Sequence, residues 1–144
     1  MTSEHSRALV FLRYDPDGIC DNSVLDTLMG FRPFVDTILV VVNGLLKPDS
    51  LEAVQNIADR VLERPNMGYD VGAYRDALNL LGWDFIGKLD ELLLVNYTFF
   101  GPIGSFEPLL TRMGNEDVDF WGVTDHPAVT PHPYTGRGTM PAHL

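Results

Sequence analysis

Three apolar runs, 8–12 (Ala-Leu-Val-Phe-Leu), 38–42 and 92–95, the latter two within expected strands over 37–42 and 89–95, constrain this chain most, because none of them alternates. A strand with one wet face alternates apolar and polar side chains, whereas a strand that is apolar throughout is covered on both faces. The stretches between the runs carry helical spacing. Asp21, Asn22 or Ser23 can cap a helix bearing Val24, Leu25, Leu28 and Met29. Pro48-Asp49-Ser50 opens a second helix, with Leu51, Val54, Ile57 and Ala58 on one face. A short strand over 61–63 leads into a third helix with Val71, Tyr74, Leu78 and Leu81 on one face. A loop then holds Trp83 and Phe85, a helix is expected over 106–113, and a fifth strand over 119–124. Strand and helix in strict succession predict an α/β fold, a mostly parallel sheet with right-handed crossovers and helices on both faces.

The length, 144 residues, suits one domain with a sizeable core. The last stretch, 127–144, is rich in proline and without periodicity, so it reads as irregular. A net charge of −10 argues against nucleic acid as a partner and against a polybasic membrane patch. The single cysteine, Cys20, excludes an internal disulfide and a cysteine-cluster zinc site. The first residues hold no apolar signal region, and the longest apolar run is too short for a transmembrane segment.

In an open α/β sheet, ligands bind beyond the carboxyl ends of the strands. Here those ends carry Tyr14 and Asp15, then Asn43, then Arg64 and Asn66, then Asn96 and Thr98, then Thr124, Asp125 and His126. The most unusual of them is the polar turn 64–70, which Pro65 and Gly68 keep out of regular structure just before a helix. A helix start can bind phosphate. Asp70, however, stands where a cap would be, able to accept from the Ala73 amide, and its carboxylate would repel a phosphate. The turn 66–70 is therefore expected to face a ribose, a base or a sugar hydroxyl. No P-loop follows any strand, and no Gly-x-Gly-x-x-Gly follows the first.

Other constellations have plainer readings. His126, His132 and His143 match no metal-ligand spacing and read as solvated loop. Asp119 and Asp125 bracket one expected strand, roughly 20 Å apart at strand rise, too far to act on one bond. Cys20 has no clear basic partner and reads as an inert, half-buried thiol.

Three segments together resemble a known family. They are Asn66-x-Gly68-Tyr69-Asp70-x-Gly72-Ala73-Tyr74-Arg75-Asp76, then Leu92-Leu93-Leu94-Val95-Asn96 with Gly101-Pro102, then Asp119-Phe120-Trp121-Gly122-Val123-Thr124. In this order and spacing they resemble the signatures of the rhamnan synthesis F family, and the similarity covers about residues 8–126. The resemblance implies a Rossmann-like, GT-A-type glycosyltransferase architecture. Residues 1–126 would form the nucleotide-sugar-binding domain, and 127–144 would lead into an acceptor half. It implies transfer of a sugar, rhamnose above all, from a nucleotide-diphosphate donor such as dTDP-rhamnose to a glycan acceptor in cell-surface polysaccharide biosynthesis. The full-length protein would then be cytoplasmic, peripheral at the inner face of the membrane.

The same resemblance places Tyr14, Asp15, Asn66, Gly68 and Asp70 around the nucleoside, and it brings Asn43, Tyr69, Arg75, Asn96 and Thr98 into the donor-binding set. It also implies Mg²⁺ or Mn²⁺ on the diphosphate, held by an acidic residue after the fourth strand. Here the pattern departs: Asn96-Tyr97-Thr98 stands where the family resembles Asn-Asp-Ser, and tyrosine cannot replace a hard anionic ligand. Three outcomes stay open. Asp125 or a later residue supplies the ligand, Arg75 or Arg64 neutralises the diphosphate, or the chain is a non-catalytic nucleotide- or carbohydrate-binding module. The catalytic base is either Asp125 or lies outside this sequence.

Overall fold

The structure, a computed structural model, describes residues 5–99, 101–123, 128, 130, 131, 136 and 137. Its elements run β1 (Arg7–Tyr14), α1 (Asn22–Phe31), a 3₁₀ turn (Arg32–Phe34), β2 (Thr37–Asn43), α2 (Pro48–Gln55), β3 (Arg60–Arg64), α3 (Tyr69–Leu81), α4 (Trp83–Ile86), β4 (Glu91–Asn96) and α5 (Glu107–Gly114). The four strands form one parallel sheet in the order β3-β2-β1-β4. This is the α/β, Rossmann-like arrangement that the unalternating runs require. The strand order reverses between β1 and β4, and there the crossover that leaves β1 through α1 and the one that reaches β4 through α3 lie on opposite faces and leave a crevice.

Alternation along β1 divides the core. Val10 and Leu12 point to one face, where with Leu39, Val41, Ala73 and Ala77 they form a fully buried cluster beneath α3. Phe11, between them, points to the face covered by α1, whose Val24, Leu28 and Phe31 are buried. Asp21 caps α1 as expected, accepting from the Val24 amide at 3.1 Å. The Phe31 ring stacks on Phe106 ahead of α5, with centroids 3.8 Å apart, a geometry worth about 0.5–1.5 kcal/mol beyond the area it buries. At the amino end of the sheet the buried Arg7 guanidinium pairs with Glu91 and donates to the Leu110 carbonyl.

Three expectations are corrected. Val71 is 81% exposed, because α3 presses its small residues Ala73 and Ala77 against the sheet and so turns its buried face away from Val71. The segment holding Trp83 and Phe85 is a short helix, α4, and not a loop. The described part of the expected fifth strand, 119–123, forms no strand, and Phe120 and Val123 are exposed. The run in β4 is also less covered than its composition suggests. Leu94 is 47% exposed on what is, among the described strands, an edge.

The chain divides into two compact units, Met1–Gly114 and Asn115–Leu144. The first holds the sheet and all named helices. In the second, the described residues are irregular.

Candidate functional site

Alternation continues to the carboxyl ends of the strands and sorts their polar groups by face. On the α3 face lies a hydrogen-bonded cluster centred on Arg64, at the end of β3. Arg64 is only 8% exposed. Its Nε donates to Asp76 Oδ2 at 2.7 Å, its Nη2 to the Met67 carbonyl at 2.7 Å, and its Nη1 to Asn43 Oδ1 at the end of β2. Asn43 Nδ2 in turn donates to the Tyr69 carbonyl at 3.3 Å. One guanidinium and one amide thus tie two strand ends, the turn 65–69 and α3 together. Buried donors and acceptors at this density must be paired, because each orphan would cost roughly 1–3 kcal/mol.

The turn itself is strained. Gly68 and Tyr69 have φ of 73° and 48°, and Tyr69 is the one non-glycine with positive φ among the described residues. Gly72 faces the turn so closely that a Cβ there would come within 2.3 Å of the Met67 carbonyl oxygen. Strain of this kind persists only where its surroundings over-determine it, and Arg64 with Asn43 supplies that restraint. The Tyr69 side chain is 76% exposed, and Asn66 and Met67 are exposed beside it.

The N-cap of α3 is Gly68 and not Asp70. Asp70 lies in the first helical turn, and its Oδ2 accepts from Asn96 Nδ2 at 3.3 Å instead of from the Ala73 amide. Thr98 Oγ1 donates to Asn96 Oδ1 at 2.6 Å. Asp70, Asn96 and Thr98 are thereby brought together at the end of β4, with Tyr14, at the end of the neighbouring β1, partly exposed. Arg75 is exposed and its Nε and Nη2 lie on Asp76 Oδ1, at 2.9 and 2.8 Å. The hydrogen bonds from Arg75 and then Arg64 hold the Asp76 carboxyl below the usual carboxylate range. Arg64, considered above for a diphosphate, is committed to this interior cluster.

On the α1 face, Arg13 plays the corresponding part. Its Nη1 donates to the Tyr14 carbonyl and its Nη2 to the Ile19 carbonyl and Asp15 Oδ2, at 2.9, 2.7 and 3.2 Å. Its Nε is buried without a hydrogen-bond partner, and its guanidinium carbon lies 5.2 Å from the centre of the Tyr97 ring. Asp15 Oδ1 accepts from the Asp17 and Ile19 amides. Those amides, Ile19 first, and Arg13 hold the Asp15 carboxyl below its usual range. Asp15 thus shapes the β1–α1 loop. Burial pushes the Cys20 thiol up, away from the reactive thiolate.

Asp125, with His126, His132 and His143, lies outside the described residues. Among the described residues no group of three or more His, Cys, Asp and Glu side chains could hold a metal ion. Among the described residues, Asp70 is the carboxylate that meets the end of β4, beside an amide and a hydroxyl. That donor set does not fit Mg²⁺ or Mn²⁺, which want several hard anionic oxygens. No helix among the described residues is long and apolar enough to cross a membrane.

Sequence reasoning missed Arg13 and the double role of Arg64. The available signal was an arginine ending a strand next to an Asp or Asn, which reads equally as surface charge. The sequence pattern marks Tyr97 only as the residue in place of a metal ligand. Alternation from Asn96 should have placed its ring on the opposite face.

These features define a Rossmann-like α/β domain with polar groups at the carboxyl ends of its strands, Asp70, Asn96 and Thr98 beside the strand-order reversal. The rhamnan synthesis protein F family matches residues 38–144, and the chain belongs to that family. Its similarity extends to the virulence protein VirA of Vibrio anguillarum strain ATCC 68554 / 775 and to VirA of Vibrio anguillarum. Each is 34% identical over 89 residues, covering 61% of this chain and 26% of the relative. The chain therefore spans about a quarter of the length of those curated relatives. No solved structure matches it. Family membership makes this a protein related to rhamnan and polysaccharide biosynthesis.

Proposed function

We propose that the chain is the donor-binding part of a GT-A-type glycosyltransferase, taking a sugar, rhamnose, from a nucleotide-diphosphate donor such as dTDP-rhamnose to a growing glycan in the cytoplasm, at the inner face of the membrane. The observation that carries this reading is the Asp70–Asn96 contact, which joins the strained turn to the end of β4 where the strand order reverses. Tyr14, Asn66, Gly68, Tyr69 and Asp70 would meet the nucleoside, with Tyr69 offering an exposed ring to stack. Asn43 acts from beneath the turn and Asp15 from the β1–α1 loop. Arg75, exposed on α3, would turn toward the diphosphate, and Asn96 and Thr98 would offer hydrogen bonds beside it.

The reaction is displacement at the anomeric carbon. A base, with Asp125 as the candidate in this chain, removes the acceptor hydroxyl proton, and cationic groups stabilise the diphosphate as it leaves. No step is assigned to a metal ion, because the described donor set does not suit one. A second reading, a non-catalytic nucleotide- or carbohydrate-binding module, is favoured by one observation. The side chain after Asn96 is a tyrosine packed on the α1 face, against Arg13.

Calorimetric titration of the full chain with dTDP and UDP, with and without manganese, tests the proposal. Binding of either nucleotide, weakened by Asn66→Ala, is expected. Binding of neither to a well-folded protein overturns the donor pocket.

A further inference from the structure

On the opposite face of the sheet from the Arg64 cluster, a cavity of about 190 Å³ opens between α1 and the segment after β4. Phe11, Val24, Phe99 and Pro102 line it with apolar surface, and Asp26 and Tyr97 bring polar groups to it. The other hydroxyls at its wall are spent. Ser23 Oγ donates to Asp21 Oδ1, and Thr27 Oγ1 is held between the Ser23 and Gly101 carbonyls. The Asp26 carboxylate and the Tyr97 phenol, by contrast, have no hydrogen-bond partner among the described residues. Among the described residues, an acceptor and a donor without partners therefore share one small cavity beside the Phe99 ring.

That chemistry selects its ligand. A carboxylate at the rim repels phosphate, and Arg13, against the Tyr97 ring, has its Nη donors committed to Tyr14, Asp15 and Ile19. A neutral ring with hydroxyls around its edge and C–H groups on its faces meets both demands. Its hydroxyls reach an acceptor and a donor, and its apolar face lies on aromatic carbon. We infer that this cavity takes the pyranose ring of a neutral sugar, packed on Phe99 and hydrogen-bonded by Asp26 and Tyr97. The inference rests on the sugar-transfer reading only for which sugar is tried first. A nucleobase is the competing flat ring, and thymidine is the arm of the test that decides against it.

The test is an NMR titration of the full chain with methyl α-L-rhamnoside, with inorganic phosphate and thymidine in separate arms. The rhamnoside should move the amide signals of Ser23, Asp26, Thr27 and Tyr97. Asp26→Ala and Tyr97→Phe should each weaken it roughly tenfold, as losing a hydrogen bond to a sugar hydroxyl does, while dTDP affinity stays unchanged. Asp26 is exposed on α1 and Tyr97→Phe removes only an oxygen, so both variants should fold. Shifts elsewhere, equal affinity in the variants, or preferential occupancy by phosphate or thymidine overturn the inference. Nucleotide binding without rhamnoside binding defeats this inference alone. Rhamnoside binding at the cavity without nucleotide binding supports it and defeats the donor pocket.

Discussion

The Asp70 carboxylate accepts the side-chain amide of Asn96 across 3.3 Å, and this contact joins the start of α3 to the end of β4. The two residues belong to different segments of the chain, and both lie on the face of the sheet that carries the Arg64 cluster. If they act as one unit on a donor, Asp70→Ala and Asn96→Ala should each weaken dTDP binding roughly tenfold, about 1.4 kcal/mol. The double variant should lose little more than either single one, the signature of coupled neighbours. Calorimetric double-mutant cycles check this. Strictly additive losses would mean that the two residues bind independently.

Gly72 is the residue against which the turn is built. A Cβ would reach within 2.3 Å of the Met67 carbonyl oxygen and 3.2 Å of Arg64 Nη2, and the first of these is backbone that cannot swing aside. Gly72→Ala should therefore destabilise the fold by about 1–3 kcal/mol, as overpacking of a filled interior does, although alanine ordinarily favours a helix. Urea denaturation midpoints measure it. A neutral or stabilising result would show that the turn can move away at no cost.

Arg64 ties more elements than any other side chain in this region, and it has no room for a replacement of different shape. Arg64→Ala leaves Asn43 and the Met67 carbonyl without their donor and should cost about 1–3 kcal/mol, the scale for orphaning a buried polar group. Arg64→Lys should recover only part of this, since an ammonium cannot reproduce the planar fork that meets three partners. The pH dependence follows from Asp76, whose folded-state carboxyl lies below its ordinary 3.8. Its contribution is complete above about pH 4 and disappears as the pH falls through the lower folded value. Limited proteolysis at the turn should thus be flat from neutral to mildly acidic pH in the wild type, and raised throughout in the variants.

Much of this was legible in the residues because period and order are physical constraints. The unalternating runs could be covered only in a parallel sheet, and the order of elements left few ways to connect it. The position of the polar turn followed from Pro65 and Gly68. What was not legible depends on tertiary contact. That Ala73 and Ala77, and not Val71, face the sheet follows from how closely α3 approaches it. That Asp70 reaches Asn96 and not the Ala73 amide depends on the left-handed pair Gly68–Tyr69, which moves the helix start by two residues. That segment 119–123 forms no strand could not be read from it either, because a strand needs a hydrogen-bonded partner and composition does not supply one.

Tyr74 provides a probe of the same face. Burial first, and then the negative charge of Asp70, push its phenol up to about 12. In the unfolded chain a tyrosine loses its proton near 10.0, so between these values the folded state holds a proton that the unfolded state has released. Stability is therefore complete below about pH 10 and falls as the pH rises from 10 toward 12. In a spectrophotometric titration of the chain's five tyrosines, one phenolate should appear late and together with alkaline unfolding. Tyr74→Phe should remove the late phase and flatten the alkaline loss of stability. Asp70→Asn should move the late phase to lower pH, because a neutral amide no longer opposes the phenolate. If Asp70→Asn leaves it in place, the carboxylate is not aimed toward Tyr74 and the start of α3 is arranged differently in solution.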